Sequence, residues 1–170
     1  DIGSSDGAEA KIALNKFQSI RTIIFEPYAL NRKKIFKYLN SNYYKKKFKI
    51  YNYCISDKNQ KINFYINHKR ANLNSTTFFK NSIKVKKNSI TFNEASKKFK
   101  FTTPIFIKAD IEGGEEKLLM GARNFLLKNK EVSILLELHP DKYKGNNFKE
   151  IIKTLIKNGY KIKYVESAGS

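Results

Sequence analysis

The chain sets polar side chains where its apolar runs stop. Ile105-Phe106-Ile107-Lys108-Ala109 gives way to Asp110-Ile111-Glu112-Gly113-Gly114-Glu115, and Thr22-Ile23-Ile24-Phe25 gives way to Glu26-Pro27. The run from Phe48 to Ile55 is closed by Ser56-Asp57, and Val132-Ser133-Ile134-Leu135-Leu136 by Glu137-Leu138-His139-Pro140. Polar groups at the carboxyl ends of parallel strands are where open α/β sheets bind ligands. Asp110 and Glu112 have two readings, as caps of the helix that follows or as groups that face a ligand. Glu26 has the position from which a carboxylate accepts both hydroxyls of a ribose. Pro27 disfavours a helical conformation at Glu26 and holds the acid in an extended turn. Period-two geometry puts Glu137 and His139 on one face. A histidine there is commonly a structural hydrogen-bonding residue, and its place beside the Asp110 strand end strengthens a functional reading.

The elements that must carry these residues follow from the periodicity. Helices are expected over Ala8 to Phe17, with Ile12, Ala13 and Phe17 inward, and over Ala29 to Leu39, with Leu30, Ile35 and Leu39 inward. A third helix follows Glu115 through Leu118, Leu119, Ala122 and Leu126, and a fourth runs from Phe148 to Lys157, stopped by Asn158-Gly159. Phe48 to Ile55 reads as one strand, Lys61 to Ile66 and Ile83 to Phe92 as alternating strands, Asn93 to Phe99 as a short helix, and Tyr160 to Val165 as a last strand. Asn72 to Thr77 reads as a loop. Strands alternating with helices argue for a doubly wound, mostly parallel α/β sheet. The turn Asp1-Ile2-Gly3-Ser4-Ser5-Asp6-Gly7 leads into the first helix, but its spacing does not match the dinucleotide fingerprint.

A length of 170 residues suits one domain. No apolar run is long enough to cross a bilayer, no signal peptide is visible, and the expected location is cytoplasmic. Cys54 is the single cysteine, so an internal disulfide is excluded, and it reads as a buried core residue. The only histidines are His68 and His139, and no zinc-type ligand spacing exists. The net charge of +19 allows a polyanion partner. The lysines are spread along the chain, however, and accompany abundant Asn, Ile, Phe and Tyr, the profile of an AT-rich coding sequence.

In order and spacing, Asp1-Ile2-Gly3 with Gly7, Phe25-Glu26-Pro27, Ile55-Ser56-Asp57, Ile107-Lys108-Ala109-Asp110-Ile111-Glu112-Gly113 with Glu115, and Leu135-Leu136-Glu137-Leu138-His139-Pro140 resemble the FkbM-type methyltransferases. The stretch from Lys108 to Glu115, with Gly121-Ala122 after it, is the most specific part of the resemblance. The resemblance implies a Rossmann-like class I methyltransferase fold and S-adenosylmethionine-dependent methylation of a hydroxyl on a sugar or other small metabolite. It implies that Asp1, Gly3 and Gly7 line the methionine end of the cofactor, that Glu26 holds the ribose, and that Ser56 and Asp57 lie near the adenine. Asp110, Glu112 and His139 would then face the acceptor. Family members carry a strand immediately before the Asp-x-Gly turn. The chain is therefore expected to be one methyltransferase domain over residues 1–170, cut at its N-terminus and towards its C-terminus, without its first, central strand.

An alcohol attacks a methyl group well only if its proton is removed during the attack. Asp110 is the first candidate for that base. His139 is the second, because its unperturbed pKa, about 6.5, suits proton transfer near neutrality. A divalent ion held by Asp110, Glu112, Glu137 and His139 is the alternative; it ranks below a metal-free site, because no spacing in the sequence fixes it. Methylation of RNA and a non-catalytic binding module are the two other functions open to such a chain. No interleaved aromatic and basic motif supports the former.

Overall fold

The computed structural model describes residues 1–41, 43–67, 74–143 and 146–166. His68, the first two residues of the expected loop from Asn72 to Thr77, and the tail from Ser167 lie outside the described residues. The architecture is mixed α/β with parallel sheets. Strands β1 (Thr22–Phe25) and β2 (Phe48–Tyr51) pair in parallel, as do β6 (Ile105–Ala109) and β7 (Val132–Leu136). Ile2 joins the two pairs, with parallel bridges to both Phe25 and Ala109. The order across this sheet is therefore β2, β1, Ile2, β6, β7. A smaller sheet has the order β3 (Cys54–Ser56), β5 (Ile83–Thr91), β4 (Gln60–Ile66), with β3 parallel and β4 antiparallel to β5.

Helices cover both faces of the larger sheet. On one face, α1 (Ala8–Lys16) and α2 (Ala29–Leu39) bury Ala10, Leu14, Ile35 and Leu39 with Ile24. On the other, α4 (Glu115–Lys128) and α5 (Asn147–Lys157) bury Leu118, Leu119, Ala122, Leu126, Ile151 and Leu155 against Phe25, Ile107, Ala109 and Val132. Packed against α4, α3 (Phe92–Lys98) starts at Thr91, whose hydroxyl accepts the Glu94 amide at 3.1 Å, a side-chain cap for an otherwise unpaired helical amide. Among the described residues no helix is long and apolar enough to cross a membrane.

Four expectations need correction. The run from Phe48 to Ile55 is two strands in two sheets, because Tyr51 pairs with Phe25 while Cys54 pairs with Ser89. In α1 the inward residues are Ala10 and Leu14, and Ile12 and Phe17 are exposed. In α2 the buried face is Asn31, Ile35 and Leu39, at helical spacing, while Leu30 is half exposed. Tyr160 to Val165 alternates like a strand but pairs with none among the described residues, and Ile162, Tyr164 and Val165 are exposed. Tyr160 is anchored instead by its hydroxyl, which donates to the carbonyls of Leu126 and Asn129 at 3.0 Å.

Helix α4 is seated directly on the backbone of β3. A Cβ at Gly121 would lie 2.1 Å from the Ser56 carbonyl oxygen. Alanine favours a helix over glycine by about 1 kcal/mol, but here it meets backbone that cannot step aside. Gly121→Ala should therefore lose about 1–3 kcal/mol of stability, the usual cost of overpacking. Urea denaturation of the two proteins measures this, and equal midpoints would mean that α4 does not sit on β3 as described.

Candidate functional site

The carboxyl ends of β1 and β6, with the first residues of β3, line one crevice. Its walls include Gly3, Glu26, Asn31, Cys54, Asp110 and Gly114. Gly3 makes this possible. Its φ is +79°, and a Cβ there would fall 1.9 Å from the Asp110 carbonyl oxygen. Only glycine allows the turn after Ile2 to run in backbone contact with the end of β6.

Glu26 ends β1 and is almost wholly buried. Its Oε1 accepts the Tyr28 amide at 2.7 Å, and its Oε2 accepts the Ser5 amide and the Asn31 side-chain amide, both at 3.3 Å. Burial pushes its pKa up, and these donors, with Arg32, oppose the shift. Asn31, on the inward face of α2, was not foreseen. Its signal in the sequence is its spacing with Ile35 and Leu39, which puts an amide where an apolar residue belongs. Its Oδ1 is buried with no hydrogen-bond partner among the described residues. An orphaned buried acceptor costs about 1–3 kcal/mol.

Asp110 follows β6. Its amide donates to the Ile2 carbonyl at 3.1 Å, which fixes the backbone, while its Oδ1 is buried and unpartnered among the described residues. Burial raises its pKa to about 6; Glu137 and Glu112 add to the shift, and Lys108 and His139 oppose it. A carboxyl group near 6 can take a proton at neutral pH and hold it long enough to matter. Cys54 also lines the crevice, and burial pushes its thiol up to about 12.

Glu112 and His139 are not among the crevice walls. They meet behind Asp110, around Glu115, the first residue of α4, which is fully buried. Glu115 Oε1 accepts the amides of Ile111 and Gly113, each at 3.2 Å, and lies 3.2 Å from His139 Nδ1. Its Oε2 accepts the Tyr143 hydroxyl at 3.0 Å. His139 Nε2 lies 3.4 Å from Glu112 Oε2, which also receives the Lys142 ammonium at 2.5 Å. Both ring nitrogens of His139 thus face carboxylates, and neither is left open to an incoming hydroxyl. Asp110, Glu115 and His139 offer three atoms within 4.8 Å of one another that could hold a metal ion. Of the three, Glu115 and His139 are already committed to protein partners.

The other sequence-derived residues have these places. Asp1 carries a buried carboxylate without a partner among the described residues, next to the Ile2 bridge. Gly7 precedes α1, and a Cβ there would come within 3.1 Å of Ile35. Ser56 donates to Asp57 at 3.0 Å, one residue beyond the crevice wall at Ile55. Glu137 is exposed, and its charge reaches Asp110.

Compared with known proteins, residues 1–162 match the family model described as the methyltransferase FkbM domain. No curated protein gives a significant match. The chain is similar in fold to the crystal structure of methyltransferase FkbM from Methylobacillus flagellatus KT, at 14% identity and a TM-score of 0.56. The similarity covers 92% of this chain and 36% of that one, so the chain spans about a third of the length of that structure.

The raised pKa of Asp110 has a consequence for stability. Between about pH 4 and pH 6 the folded chain keeps a proton that the unfolded chain has released, so stability falls as pH rises through that window. Asp110→Asn should match the wild type at pH 4, exceed it at pH 7, and lack that decline. Urea midpoints across this range test it; parallel curves for the two proteins would show that Asp110 titrates as an ordinary surface acid.

Proposed function

The chain belongs to the FkbM methyltransferase family, and from that premise we propose that it uses S-adenosylmethionine to methylate a hydroxyl oxygen on a sugar or other small metabolite. The observation that carries the proposal is the pairing, in one crevice, of a buried strand-end acid with one acceptor position free, Glu26, and a strand-end acid raised towards neutrality, Asp110, whose Oδ1 has no partner among the described residues. The strand order β2, β1, Ile2, β6, β7, with helices on both faces, supports a Rossmann-like arrangement in which these two acids flank the centre of the sheet. The residues fit the cofactor: the Gly3 turn lets backbone approach it, and Glu26 Oε1 retains a lone pair for a ribose hydroxyl.

When bound, S-adenosylmethionine supplies a sulfonium-activated methyl group, and the protein supplies alignment. Asp110 Oδ1 would take the proton of the acceptor hydroxyl. Glu115 holds the turn after Asp110 by two backbone amides, His139 braces Glu115, and Glu112 holds His139. They act on the position of Asp110 rather than on the substrate.

In the full-length protein, Asp110→Asn should leave S-adenosylmethionine affinity unchanged and lower kcat by about 10²–10⁴-fold. The wild-type rate should rise with pH and level off above about 6. Absence of any S-adenosylmethionine binding by calorimetry would sink the cofactor reading. Normal kcat in the variant would remove Asp110 from the chemistry. Activity that vanishes with a chelator and returns with magnesium or manganese would move the function of Asp110 to a metal ion.

A further inference from the structure

The hydrogen bonds already made by Glu26 limit what it can still accept. A carboxylate has about four lone-pair positions. Oε2 receives two donors, the Ser5 amide and the Asn31 side-chain amide, and Oε1 receives one, the Tyr28 amide. One position is left, on Oε1. A ribose presents two adjacent hydroxyls, and Glu26 alone can take only one of them.

A second acceptor lies beside it. Asn31 is 2% exposed, lines the same crevice, and has its Oδ1 buried and unpartnered among the described residues. The orientation of this amide is fixed by chemistry, since only the NH₂ end can face the Glu26 carboxylate. The oxygen is therefore the end without a partner. Asn31 and Glu26 are five residues apart, at the first turn of α2 and the end of β1, and the bond between their side chains holds the two acceptors side by side.

We infer that Asn31 is a cofactor-binding residue whose amide oxygen accepts one hydroxyl of the ribose diol while Glu26 Oε1 accepts the other. The inference rests on the S-adenosylmethionine reading above. It divides the diol between two residues and makes the Glu26–Asn31 bond a positioning device for both.

The test is calorimetric titration of the full-length protein with S-adenosylhomocysteine and with its 2′-deoxy and 3′-deoxy forms. The wild type should bind each deoxy form about tenfold more weakly, one lost hydrogen bond apiece. Asn31→Leu, close in shape and without an acceptor, should lose one of these two penalties and keep the other. If that variant does not fold, Glu26→Gln should still show the penalty of the hydroxyl held by Asn31. A wild type sensitive to only one hydroxyl, an Asn31→Leu protein that keeps both penalties, or a Glu26→Gln protein that loses both overturns the assignment. Wild-type protein that does not bind S-adenosylhomocysteine at all overturns the cofactor reading, and the assignment falls with it.

Discussion

The structure depends on one backbone junction. Five hydrogen bonds stitch residues 1–3 between β1 and β6: the Asp1 nitrogen to the Ile23 carbonyl at 2.9 Å, Phe25 to the Asp1 carbonyl at 2.9 Å, Ile2 to the Lys108 carbonyl at 2.9 Å, Asp110 to the Ile2 carbonyl at 3.1 Å, and Gly3 to the Phe25 carbonyl at 3.1 Å. Three residues thereby hold two strand pairs in one sheet. They also fix the separation of the two strand ends from which Glu26 and Asp110 emerge. The contact between Gly3 and the Asp110 carbonyl leaves no space for a side chain, so the geometry of the crevice is set by backbone rather than by adjustable side chains.

Around that junction three acids are treated differently. Glu115 is saturated by two amides, a histidine and a phenol. Glu26 has three donors and one position free. Asp110 has an oxygen with none among the described residues. The cost of burying a carboxylate falls as donors are supplied, so this series runs from a fully satisfied acid to one with an unsatisfied oxygen.

Much of this was legible in the sequence, because an apolar run that ends in a charged residue marks a strand end whatever surrounds it. That is how Glu26, Asp110 and His139 could be singled out. What escaped depends on partners that a local pattern cannot name. The break at Asn52-Tyr53 lies inside an unbroken β-like run and exists because the two halves pair with different strands, β1 and β5. Tyr160 to Val165 has the alternation of a strand, but alternation does not supply a neighbour. Asn31 was hidden by Leu30, the more hydrophobic residue one position earlier, although the spacing to Ile35 and Leu39 favours Asn31. The pairing of both His139 nitrogens with carboxylates follows from the fold of the turn around Glu115, and period-two reasoning could only place the ring on a face.

Cys54 shows what such a crevice must also prevent. On the S-adenosylmethionine reading proposed above, a thiolate at this wall would compete with the acceptor alcohol for the methyl group. Burial pushes this thiol up to about 12, so at neutral pH the sulfur keeps its proton and its lone pairs stay poorly reactive. Burial at the crevice wall therefore keeps a potential nucleophile in its unreactive form.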